Sequence, residues 1–126
     1  MRSSYWIRGK FKRFFDEFEL TQQQFNVLSI LEFHHPSYLT TKTISKYMLD
    51  NHADTSRVVD RLVMKQYVSK EKDPTDQRLV QIIITDSGLA LVKKIYDQFP
   101  NIDDWTGKLT DQEVNQLIQL LKKLGD

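Results

Sequence analysis

Apolar residues recur at intervals of three and four along most of the chain, which predicts a largely helical protein. Over residues 3–18, Trp6, Ile7, Phe11, Phe14, Phe15 and Phe18 make one face of a first helix, with Arg8, Lys12, Arg13 and Asp16 elsewhere around the wheel. An aromatic face of that size needs a partner surface. A second helix opens at Thr21, whose hydroxyl can accept from the amide of Gln24 while the Gln24 side chain reaches back, with Leu20 stapled on Phe25. Phe25, Leu28 and Leu31 are its expected core face, and Pro36 ends it. Thr40 caps a short third helix, stapled by Leu39 and Ile44, with Ile44, Tyr47 and Met48 expected to be buried.

Leu49-Asp50-Asn51 then reads as a tight turn, and Asn51 is the expected cap of a fourth helix over about residues 52–66. Val58, Val59, Leu62 and Val63 form its apolar stripe, while Arg57, Asp60, Arg61 and Lys65 fall largely on another face. After Tyr67 the period changes. A charged, alternating stretch (residues 67–72), a turn signal at Asp73-Pro74-Thr75-Asp76 and a β-branched run from Leu79 to Thr85 predict a hairpin with a charged tip. Thr85-Asp86-Ser87 restarts helix, carried by Leu89, Val92, Ile95 and Phe99 until Pro100. A last helix begins with a capping box from Thr110 to Glu113 and carries a heptad-like seam of Val114, Leu117, Leu121 and Leu124, with Gly125 as a stop.

Composition narrows the class. The 126 residues fit one domain (1–126), and 40% hydrophobic content is enough to fill one core. No apolar run approaches the ~18 residues of a membrane span and no signal-peptide stretch is visible, so a soluble, cytoplasmic protein is expected. Without cysteine there is no disulfide framework and no thiolate metal cluster. His34, His35 and His52 lack carboxylates at ligand spacing on the same helix, so neither a metal nor another cofactor is expected. Gly-rich phosphate loops, metalloprotease helices and nucleophile elbows are absent, which argues against an enzyme. The net charge of +1 conceals an uneven distribution, because residues 42–78 hold eight basic and six acidic side chains.

Two short helices joined by a turn of three or four residues and followed by a charged hairpin outline a winged helix-turn-helix. The expected fold is therefore mainly α with a small β-hairpin wing. Residues 20–100 make the winged lobe and its connecting helix. In a monomer, the aromatic face of residues 1–19 and the leucine seam of residues 101–126 would compete for one small core, so both ends are expected to be dimerisation helices. Such a lobe reads double-stranded DNA, its second helix in the major groove and its hairpin on the backbone or in the minor groove. Base reading would fall to His52, Asp54, Ser56, Arg57 and Arg61. Thr41, Lys42 and Lys46 on the preceding helix, with Lys70 and Lys72 on the wing, are candidates for phosphate contacts. Arg78, next to Gln77 at the hairpin tip, suits a narrow minor groove, and Asp76 is tolerable there only if it orients Arg78 through a charge-assisted pair. The acidic Asp54 and Asp60 keep open an alternative, a winged helix used for protein docking without specific DNA binding.

An ordered series of motifs resembles the MarR (multiple antibiotic resistance regulator) family of bacterial transcription factors over nearly the whole chain. Leu39-Thr40 precedes the short helix, Ser56-Arg57-Val58-Val59-Asp60-Arg61-Leu62 stands for the recognition segment, Asp73-Pro74-Thr75-Asp76-Gln77-Arg78 for the wing, and Ile84-Thr85-Asp86-Ser87-Gly88 for the next helix start. The family's glycines between the short helices and after the recognition helix are replaced here by Leu49-Asp50 and Gln66. The resemblance implies a homodimeric regulator, a repressor, on a palindromic operator, and it also implies that Asp76 orients Arg78. It further implies release by a small aromatic effector, for which Trp6, Phe11, Phe15, His34, Tyr38 and Trp105 are candidate pocket residues. Aromatics at helical spacing serve equally well as plain core.

Overall fold

The computed structural model describes residue 9, residues 12–50 and 53–99, and residues 110, 112, 113, 115, 116, 119, 120 and 123. The chain forms two compact units, Met1–Ile95 and Tyr96–Asp126. Of the expectations above, those on Trp6, Ile7, Arg8, Phe11, Asn51, His52, Pro100, Trp105, Val114, Leu117, Leu121, Leu124 and Gly125 lie outside the described residues.

Residues 12–16 are helical and end in a left-handed residue that is not glycine. Glu19 takes φ 57, and the amide of Leu20 returns to the carbonyl of Phe15 at 3.1 Å, closing the helix end. Phe15 is buried and its ring lies 4.8 Å from that of Phe25, while Phe14 meets Phe15 and Phe18 edge to face.

The first full helix, α1, is Gln22–His34. Its capping box forms as the sequence predicts, with Gln24 N to Thr21 Oγ1 and Thr21 N to Gln24 Oε1 both at 3.0 Å. Leu28 and Leu31 are buried as expected, but Val27 and Ile30 are buried with them and Phe25 is only partly so. Helix α2, Thr41–Tyr47, is capped by Thr40, whose hydroxyl accepts from the amide of Thr43 at 3.2 Å. Ile44 and Met48 enter the core. Tyr47 does not: it is 55% exposed, its ring 5.2 Å from the imidazole of His34, because a seven-residue helix turns too little of its surface inward to bury three large side chains.

Helix α3, Thr55–Met64, starts later than expected. Its cap is Asp54, whose Oδ1 accepts from the amide of Arg57 at 3.2 Å, so the helix begins at Thr55 and not near residue 52, and residues 48–50 open the connection that leads to it. That connection is pinned to α1. Leu49 N donates to Asn26 Oδ1 at 2.9 Å and Gln23 Nε2 to Asp50 Oδ2 at 3.0 Å. Thr55, Val58, Val59 and Leu62 are the buried face of α3. The helix closes at Gln66, φ 68, with Tyr67 N donating to Leu62 O at 3.1 Å.

Strands β1 (Val68–Lys72) and β2 (Val80–Ile84) pair antiparallel with Val68 opposite Ile84, Lys70 opposite Ile82 and Lys72 opposite Val80. Leu39 adds a one-residue third strand, exchanging hydrogen bonds of 2.9 and 2.7 Å with Ile82. This bridge ties the wing to the entrance of α2. Thr85 fastens the base of the hairpin, its hydroxyl donating to Gln66 O at 2.8 Å and accepting from Gly88 N at 3.1 Å. Helix α4, Asp86–Gln98, follows, burying Gly88, Val92 and Ile95. Gly88 is required there, since a Cβ would stand 2.3 Å from the carbonyl oxygen of Tyr67. In the second unit the Thr110 box is formed, with Glu113 N to Thr110 Oγ1 at 3.2 Å and Thr110 N to Glu113 Oε1 at 3.0 Å.

Candidate nucleic-acid interface

Burial of Val58, Val59 and Leu62 turns the remaining residues of α3 outward, so Ser56, Arg57 and Arg61 are exposed, as is the cap Asp54. Arg57 and Arg61 stand one helical turn apart and both line a cleft of about 420 Å³, shared with Thr21, Gln23, Gln24, Asp54 and Val58. Among the described residues neither guanidinium takes part in a salt bridge. The carboxylate of Asp54 is occupied as a helix cap, which gives it a positioning role at the head of α3.

A second cleft, of about 660 Å³, runs between α2 and the start of α3. It brings together Thr41, Lys42, Ser45 and Lys46 with Ala53, Asp54, Thr55 and Ser56, so the three phosphate candidates of α2 share one depression with two base-reading candidates of α3. Two cations and several hydroxyl-bearing residues lining one cleft suit a phosphodiester oxygen. Thr55 is buried with its Oγ1 unpartnered, at the first position of the helix.

The wing tip is braced by its own carboxylates. Asp73 Oδ1 accepts from Thr75 Oγ1 at 2.6 Å, Thr75 N at 2.8 Å and Asp76 N at 3.3 Å, and Oδ2 accepts from Gln81 Nε2 at 3.1 Å. These bonds favour the ionised form and hold the Asp73 carboxyl below the ordinary aspartate value, the Thr75 hydroxyl first and the Thr75 amide next. Asp76 Oδ1 accepts from both Arg78 N, at 3.1 Å, and Arg78 Nε, at 3.2 Å. The carboxylate thus orients the guanidinium from behind, and the Arg78 side chain stands 91% exposed, beside exposed Gln77. Lys72 is exposed at the outer end of β1. Lys70 is not free, for its Nζ lies 2.7 Å from Asp60 Oδ1 on α3, a pairing that hydrophobic periodicity gives no means of finding.

Of the expected effector-pocket residues, Phe15, His34 and Tyr38 are described, and each has its own surroundings. Phe15 lines a cavity of about 350 Å³ with Lys12, Asp16, Leu20, Thr21, Gln22 and Gln23. His34 bonds the carbonyl of Ile30 through Nδ1 at 2.8 Å and meets Phe33 edge to face and Tyr47 at a tilt, while Tyr38 donates its hydroxyl to Glu71 at 3.4 Å. Trp6 and Phe11 lie outside the described residues. Among the described residues no group of His, Asp and Glu is arranged to hold a metal ion, and no helix is long and apolar enough to cross a membrane.

Comparison with known proteins bears on the same surface. The sequence model of the MarR family matches residues 20–80, the span from the cap of α1 to the start of β2. The HTH-type transcriptional repressor NicR of Pseudomonas putida is 30% identical over 109 residues, covering 86% of this chain and 68% of NicR. The HTH-type transcriptional regulator MhqR of Bacillus subtilis is 29% identical over 107 residues, 84% of this chain and 72% of MhqR. Among solved structures, a mutant MarR from E. coli complexed with operator DNA superposes with a TM-score of 0.77 at 27% identity, covering 98% of this chain and 91% of the other.

Proposed function

Since the chain belongs to the MarR family and is a DNA-binding transcription regulator, we propose that it acts as a homodimeric repressor on a palindromic operator. In this reading α3 enters the major groove with Ser56, Arg57 and Arg61, and Arg78 enters the adjacent minor groove. Thr41, Lys42 and Lys46 take a phosphate in the cleft between α2 and α3. The observation that carries the reading is the wing tip, where a fully outward guanidinium is held by a carboxylate that accepts two bonds from the same residue. A negative groove is the natural destination of such a group. Release by a small aromatic effector belongs to the same reading, with Phe15 as its best-supported contact, because Phe15 lines a cavity next to the entrance of α1. No catalytic role is assigned.

The test is a titration against fluorescent duplex from the protein's own upstream region, with random duplex as control, at two salt concentrations. Specific binding should weaken as salt rises, and Arg78→Ala should lower it at least about tenfold while leaving the fold intact. Equal weak binding to every duplex, or no binding at ~50 mM salt, would overturn the reading and favour a protein-docking module.

A further inference from the structure

Asp60 is the single acidic residue within α3, and it sits between two arginines. On a helix its nearest cationic neighbour is Arg57, three positions before it. The carboxylate nevertheless pairs with Lys70, ten residues on and in the first strand of the wing, at 2.7 Å. Strand alternation explains the reach. Lys70 lies on the same face of β1 as Val68, which is buried, so its side chain leaves the strand on the face that packs inward and is 34% exposed, against 59% for that of Asp60. The pair joins the two elements that the regulator reading assigns to neighbouring grooves, and no other salt bridge among the described residues does so.

We propose that Asp60 and Lys70 form a strut that sets the angle between α3 and the wing, and that Lys70 is a positioning residue for DNA binding, not a phosphate ligand. The strut does two things at once. It cancels the carboxylate that would otherwise repel phosphates beside Arg57 and Arg61, and it leaves both guanidiniums without an ion-pair partner among the described residues. An isolated Asp60 would be a liability on that surface, and Lys70 alone would be one more surface cation. Together they are neutral, so the contribution of each depends on the other.

This inference rests on the regulator reading, and a double-mutant cycle separates the two. Affinities for operator and random duplex are measured for the wild type, Lys70→Met, Asp60→Asn and the double variant, with Lys70→Arg as the conservative control. Lys70→Met should weaken operator binding roughly tenfold, whereas the same substitution in the Asp60→Asn background should cost less than about twofold. Lys70→Arg keeps the strut and should stay within about twofold of wild type. Melting temperatures should shift by no more than about 2 °C, since a half-exposed pair contributes little to stability. An equal loss from Lys70→Met in both backgrounds would make Lys70 an ordinary phosphate contact and overturn the strut while leaving the regulator reading standing. A large drop in melting temperature would overturn it too, by making the pair structural. A wild type that does not distinguish operator from random duplex would remove the regulator reading and the strut together.

Discussion

At the scale of single residues, the wing is organised by carboxylates that accept from backbone and side-chain donors of the hairpin itself. Asp73 accepts four hydrogen bonds and Asp76 two, and the outcome is a tip whose only outward-directed formal charge is that of Arg78. The Asp73 carboxyl titrates below its ordinary value because the folded tip stabilises the ionised form, chiefly through the Thr75 hydroxyl. An opened tip binds that proton more readily than the folded one. The resulting stabilisation is therefore complete above the ordinary aspartate range and is lost as pH falls through the lowered value. Thr75→Val keeps the amide donor and removes the hydroxyl, so the Asp73 midpoint should rise toward the ordinary value in a carboxyl NMR titration. An unchanged midpoint would show that the Thr75 hydroxyl is not the cause.

At the scale of elements, what could be read from the sequence was what periodicity and capping encode. The boxes at Thr21 and Thr110, the cap at Thr40 and the hairpin across Asp73 all form where the pattern puts them. The start of α3 is not fixed by local sequence, because Asn and Asp are both good caps and the pattern offers Asn51 as well as Asp54, of which Asp54 caps the helix. The Leu39 bridge and the Asp60–Lys70 pair were invisible, since each is a long-range pairing with no local signature. Gln66 is the opposite case. It stands where the family resemblance leads one to expect glycine, and the structure gives it φ 68, a left-handed conformation that disfavours a side chain. Gln66→Gly should therefore relieve strain at the end of α3 and stabilise the protein by about 0.5–1 kcal/mol, after allowing for the added freedom of the unfolded chain. Chemical denaturation with an unchanged slope would measure it, and a loss of stability would mean that the Gln66 side chain compensates its backbone.

At the scale of the whole molecule, a net charge of +1 is a poor guide to its partner, because the acidic residues of the central lobe are spent internally. Asp54 caps α3, Asp60 holds Lys70, Asp73 and Asp76 brace the wing, and Arg57, Arg61 and Arg78 are left facing solvent. Sorting of this kind gives a locally cationic surface without a basic protein, and it concentrates affinity in a few directed groups whose value depends on geometry. Geometry then constrains the proposed assembly. Two lobes related by a dimer axis present their α3 helices to successive major grooves about one helical turn apart, so the distance between half-sites is as much a part of the operator as its bases. Inserting five base pairs at the centre of the palindrome rotates one half-site by about half a turn to the opposite side of the duplex, and should reduce binding to the level of a single half-site. Inserting ten restores the facing but lengthens the gap by about 34 Å, which a rigid dimer should not span. Affinity that stays constant across all three spacings, measured with the same labelled duplexes, would mean that each lobe binds alone and would remove the homodimer from the proposed function.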